Sequence, residues 1–185
     1  MYTANQEQEP NRDEMRMLIF DAGPLITTCK FSVADKLVID YLLERCQITV
    51  TASVRDEVVL AGNRYPDASA ARQRIDAGKI AVVPPPSDPA IRMLIAPYGL
   101  GAGEMDCIQL AGHSDWKDAT LVVDDHLAYL VSDRLGQRKR FLLDVIADLV
   151  RANKMADSLA VSMVGAIRSR YPLAFVEHTL LLFGR

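Results

Sequence analysis

The chain has 185 residues, 50% of them hydrophobic and 24% charged, with a formal net charge of −3. That length fits one domain with a self-sufficient core, and the composition excludes wholesale disorder. The charge excludes nucleic-acid binding by bulk basicity, leaving a local basic patch or an acidic site neutralised by cations. Cys29, Cys46 and Cys107 are odd in number and widely spaced. They fit neither a disulfide framework nor a zinc site and are expected to be reduced, buried thiols. No apolar run approaches the ~18–20 residues that span a bilayer, and the polar N-terminus has no secretory character. The expected compartment is the cytoplasm, with no membrane partner.

Residues 1–16 carry almost nothing to bury and are expected to form a disordered polar tail. Met17-Leu18-Ile19-Phe20 is an apolar run that stops at Asp21, as in a strand covered on both faces. Gly23 and Pro24 then open a short helix reaching about Lys30. Ser32-Val33-Ala34-Asp35 reads as a variant capping box opening a second helix. Ile48-Thr49-Val50 is a second strand, and Thr51 or Ser53 caps a helix carrying Val54, Glu57 and Val58 and ending by Gly62. A helix over 66–77, with Gly78 after its end, leads to a third strand, Ile80–Val83, stopped by prolines 84–86. After a short helix around 89–96, a glycine loop over 99–103 opens a helix with Glu104 and Asp106 near its start. Leu121-Val122-Val123 is a fourth strand ending on Asp124 and Asp125. A helix from about His126 to Leu135, a short strand at 138–141 and helices near 143–153 and 156–170 complete the reading. Leu180–Phe183 is expected to dock on the domain or on a second subunit.

Strands alternating with helices imply a three-layer α/β/α fold around a mostly parallel sheet of four to five strands. In such folds, sites form at the carboxyl ends of the strands, where Asp21 and the Asp124/Asp125 pair both lie. Carboxylates gathered there repel, and burial raises the cost of ionising them. A divalent cation relieves this, and an oxygen-only donor set suits Mg²⁺ or Mn²⁺. Such cations activate water and stabilise phosphodiester displacement.

The segments MLIFDAGPLI (17–26), VTASVRDEVV (50–59), GLGAGEMDCIQLA (99–111) and LVVDDHLAYLVSDRLG (121–136) resemble, in content and order, the PIN-domain proteins of prokaryotic toxin–antitoxin modules. The similarity is to the subgroup with GxGExxAI-like and DD/DE motifs. It implies a PIN-like nuclease domain over 17–141 and a C-terminal helical extension over 142–185, packed on the domain or on a dimer partner. It also implies a Mg²⁺- or Mn²⁺-dependent endoribonuclease, the toxin of a type II module, restrained by a separate antitoxin and homodimeric. Carried over by position, the catalytic set is Asp21, Glu57, Asp106 and Asp124. The metal set is Asp21, Glu104, Asp106, Asp124 and Asp125, with both acids of the last pair fitting. His126-Leu127-Ala128-Tyr129 stands where the subgroup often has an arginine, a departure in the loop that would meet substrate.

Arg134, Arg138, Lys139 and Arg140 are the candidate RNA phosphate contacts, though such a run also suits a solvated edge. Glu104 and Asp106 sit where a helix start favours acids without any metal. The alternative to the enzyme is a non-catalytic PIN-fold module that binds RNA or protein. A haloacid-dehalogenase-type phosphatase needs an acid two residues after its nucleophile, and this chain has Gly23 there.

Overall fold

The computed structural model describes residues 16–60, 65–84 and 86–183. The expected tail lies outside these residues except for Arg16, which starts the first strand and pairs with Asp148 at 2.9 Å. The strands are β1 (Arg16–Phe20), β2 (Ser32–Val33), β3 (Lys36–Leu37), β4 (Cys46–Thr51), β5 (Ile80–Val83), β6 (Thr120–Val122) and β7 (Lys139–Arg140). The helices are α1 (Ala22–Lys30), α2 (Val38–Leu43), α3 (Ala52–Leu60), α4 (Pro66–Asp76), α5 (Pro89–Ile95), α6 (Ala102–Gly112), α7 (His126–Arg134), α8 (Leu142–Arg151), α9 (Asp157–Ile167) and α10 (Leu173–Leu180).

Five strands form one parallel sheet in the order β5-β4-β1-β6-β7, flanked by helices as a three-layer α/β/α sandwich. β1 is central. Leu18, Ile19 and Phe20 are fully buried, as a strand packed on both faces requires. From β1 the chain winds outward through β4 to β5, then crosses back to place β6 on the other side of β1. The winding reverses between β1 and β6, and a crevice opens there at the strands' carboxyl ends. Asp21 follows β1 and Asp124 lies just beyond β6, so topology makes neighbours of residues far apart in sequence.

Residues 32–37 depart from the expected helix. They form an antiparallel hairpin whose turn residues, Ala34 (φ 46°) and Asp35 (φ 62°), are both left-handed. A two-residue turn of that handedness matches the twist of paired strands and is incompatible with a helix start. The Tyr41 hydroxyl donates to the Val33 carbonyl at 3.0 Å, fastening the hairpin to α2, which begins only at Val38. Thr51 rather than Ser53 caps α3, accepting from the Val54 amide at 3.3 Å, and Gly62 lies outside the described residues.

The C-terminal segment carries one helix more than expected, α10, which packs against α8 and α9. α8 buries Leu142, Leu143, Val145, Ile146 and Leu149. Leu180 and Phe183 pack against the core of their own chain, whereas Leu181 is 67% exposed. All three cysteines are free and buried.

Candidate active site

β1 delivers Asp21 to the crevice, and the Asp21 amide donates to the Val122 carbonyl at 3.0 Å, locking the ends of β1 and β6 together. The Asp21 residue is only 6% exposed. Loss of water is the main influence on its carboxyl, pushing it up to about 7 against the opposing hydrogen bond from the Ala22 amide. Glu104, Glu57 and Asp124 add repulsion and raise it further. Four acids, Asp21 and Asp124 following strands β1 and β6, Glu57 within α3 and Glu104 at the start of α6, thus share one electrostatic environment.

Gly103 makes part of that approach possible. A Cβ at this position would stand 3.0 Å from Glu57 Oε2, 3.2 Å from Val54 Cγ2 and 3.8 Å from Asp21 Oδ1. The bare backbone of α6 therefore fits between α3 and the end of β1, with the exposed Glu57 side chain reaching in over it.

The two acids of α6 part company. Glu104 acts on Asp21 while accepting from the Gly101 amide at 2.8 Å at the helix start. Asp106 accepts from the Ser53 hydroxyl and, at 3.4 Å, from Gln109 Nε2. Residues two apart on a helix do not share a face, so these carboxylates point to different neighbours. The pair after β6 divides likewise. Asp125 accepts from the Ala128 amide at 2.8 Å and caps α7. Asp124 faces the crevice, accepting from the Tyr171 hydroxyl at 2.6 Å and the Leu142 amide at 3.2 Å. Burial raises the Asp124 carboxyl, and the Tyr171 hydrogen bond is the strongest opposing influence.

Among the described residues, no three His, Cys, Asp or Glu side chains already form a ligand cluster for a metal ion. Glu104, Asp106 and Asp125 each spend an oxygen on a helix amide or hydroxyl instead. The donor chemistry still fits a hard cation. The donors are all oxygen, and the desolvated Asp21 is under repulsion that a divalent charge would relieve.

The expected basic patch is largely engaged within the chain. Arg134 donates to the Tyr98 hydroxyl at 3.3 Å, and Arg138 lies 3.5 Å from Asp118. Lys139 pairs with Asp133 and stands 5.4 Å from the Tyr129 ring. Arg140 shares Asp148 with Arg16 and Arg151.

Arg170, Tyr171 and, as the partner of Asp106, Ser53 are not evident from the sequence, whereas the hydroxyl of Thr27 on α1 is a candidate partner for a ligand or phosphate. Tyr171 and Arg170, from the turn between α9 and α10, meet Asp124 and Thr27. Thr27, on α1, is buried and accepts from Arg170 Nε at 3.3 Å. Ser53 holds Asp106. Only the order Arg170-Tyr171-Pro172, a helix stop beyond the last motif, hinted that this turn was anchored.

A family model described as a PIN domain, DUF3368, matches residues 17–168. The chain belongs to this PIN-domain family. PIN domains are generally nucleases and typically use divalent metals. The crevice between β1 and β6 of this PIN domain is where an acidic, cation-dependent chemistry would be housed. Arg170 and Tyr171 lie beyond the matched span. Neither the curated proteins nor the solved structures give a match to this chain.

Proposed function

We propose that this PIN domain is a Mg²⁺- or Mn²⁺-dependent endoribonuclease and the toxin of a type II toxin–antitoxin module. The observation that carries the reading is Asp21, a buried carboxyl at the reversal point of the sheet with Glu57, Glu104 and Asp124 acting on it. Structure that stores such repulsion calls for a compensating positive charge.

Asp21, Glu104 and Asp124 would hold the cation, with Glu57 assisting across Gly103. Asp106 and Asp125 would stand behind them, fixing the starts of α3 and α7. When bound, a hard divalent cation offsets the repulsion between this site and an RNA backbone, polarises a phosphodiester and acidifies water. The chain's own contribution is orientation. Tyr171 and the Leu142 amide hold the Asp124 carboxylate in one direction, and the buried end of β1 keeps Asp21 dry.

The test is cleavage of single-stranded RNA by the purified protein. Activity should require Mg²⁺ or Mn²⁺, vanish with a chelator and vanish in Asp21→Asn. Induced expression of the wild type, but not of that variant, should arrest bacterial growth. The same reading takes the protein to the cytoplasm, and the described residues contain no helix long and apolar enough to cross a membrane. It pairs the chain with a separate antitoxin and with a second copy of itself. Leu173, Phe175 and Leu181, exposed on and just after α10, support self-association, which light scattering would check.

One observation favours a second reading, a PIN fold that binds RNA or protein without cutting. It is the lack, among the described residues, of a ready-made metal cluster. Metal-independent RNA binding without cleavage would select it.

A further inference from the structure

We infer that Arg170, supplied by the C-terminal extension, is a phosphate contact for the nucleic-acid strand at this site. The inference rests on the acidic crevice being the substrate site.

Arg170 is exposed, and among the described residues its hydrogen bond is made through Nε alone, to Thr27 Oγ1 at 3.3 Å. Among the described residues it forms no ion pair, in contrast to Arg138, Lys139 and Arg140, which are each paired with an acid. Thr27 is buried on α1, the helix that starts at Asp21, so the guanidinium is anchored to the same element that presents the central acid. Arg170 also acts on Asp124 without pairing with it. The next residue, Tyr171, is hydrogen-bonded to Asp124 and fixes this turn against the crevice.

Among the described residues the arrangement leaves the two Nη groups as an uncommitted fork beside a set of carboxylates. A guanidinium tethered through Nε is oriented before substrate arrives, and its remaining donors match two phosphate oxygens. The loop after Asp125 offers His126, Leu127, Ala128 and Tyr129, none of them an arginine. A polyanionic strand entering an acidic crevice needs fixed positive charge as well as any cation, and Arg170 provides it. The ligand class is therefore a single-stranded phosphodiester backbone, held one phosphate away from the acids or at the reacting one.

The experiment measures fluorescence anisotropy of a short labelled single-stranded RNA across a KCl series at constant Mg²⁺. The protein is the full chain carrying Asp21→Asn to prevent cutting. Adding Arg170→Gln should weaken binding roughly threefold to tenfold and reduce the slope of log affinity against log salt by roughly 0.7, the share of one single-strand phosphate. Arg170→Lys should restore the salt slope and part of the affinity, which a folding defect would not allow. Lys79→Gln, an exposed cation just before β5 at the opposite end of the sheet, should leave the slope unchanged. Equal affinity and slope with and without Arg170, or no RNA binding at all, overturns the inference. Arg170-dependent binding by a wild-type protein that cuts nothing would support it while removing the nuclease reading. Cleavage without any Arg170 effect on binding would do the reverse.

Discussion

Replacing Asp21 by asparagine removes a charge that the fold carries at a loss. The carboxyl titrates near 7 in the folded chain against 3.8 when free. Each tenfold change in proton affinity is worth about 1.4 kcal/mol, so keeping Asp21 ionised at pH 8 costs the metal-free fold about 4 kcal/mol. The sign follows from the raised value. Below about pH 4 both folded and unfolded chains hold the proton, and the site costs nothing. Between about 4 and 7 the unfolded chain releases it first, so stability falls as pH rises, and above 7 the loss is complete. Asparagine fits the same space and keeps an acceptor for the Ala22 amide. Asp21→Asn should therefore be more stable than wild type in chelator at pH 8, by up to about 4 kcal/mol, and nearly equal near pH 4. Urea unfolding at both pH values reads this directly. Saturating Mn²⁺ should then stabilise the wild type, by about 2.7 kcal/mol at a hundredfold excess over its dissociation constant, and leave the variant unmoved. A variant less stable than wild type at pH 8, or a gap identical at both pH values, would refute the account of Asp21 as a repelled, buried acid.

Other substitutions test the rest of the crevice. Tyr171→Phe removes a hydroxyl from a buried carboxylate, worth about 1.5–3 kcal/mol for a charged acceptor, and so raises the Asp124 carboxyl further. The acidic limb of the pH–rate profile should move up by about one to two pH units, with activity partly recovered at alkaline pH. Gly103→Ala drives a methyl against Glu57 Oε2 and Val54 Cγ2 and should destabilise by about 1–3 kcal/mol while cutting the rate and raising the Mn²⁺ requirement. Glu104→Gln should abolish RNA cleavage, whereas Asp106→Asn, facing Ser53, should retain a measurable rate; the opposite ranking would overturn the division of α6. Asp125→Ala should cost about 1 kcal/mol of stability through the lost cap of α7, leaving Mn²⁺ affinity measured by calorimetry unaltered.

Much of this arrangement is legible in the residues. Apolar runs that stop at an acid, at Phe20-Asp21 and Val123-Asp124, announce buried parallel strands, and the alternation with helices brings their ends together. The same letters do not separate Glu104 from Asp106, or Asp124 from Asp125, because adjacent acids differ only in where the backbone aims them. Helix geometry decides the first pair and a capping bond the second. The hairpin at 32–37 was hidden because its left-handed positions are Ala34 and Asp35 rather than glycine or asparagine, so a turn looked like a helix cap. Tyr171 and Arg170 were hidden for another reason. Their role depends on how α8 and α9 return the chain to β6, and no local pattern encodes that path.

That return path has a consequence for biogenesis. The order in which a ribosome releases the polypeptide puts Asp21 first, Asp124 much later and the Tyr171 anchor later still. An emerging chain can form β1 and β4 early, but it lacks an aligned Asp124 until the turn after α9 has left the exit tunnel. If the proposed nuclease reading holds, a nascent copy would lack the anchored acid it needs to cut RNA, and the message that encodes it would be spared until the chain is finished.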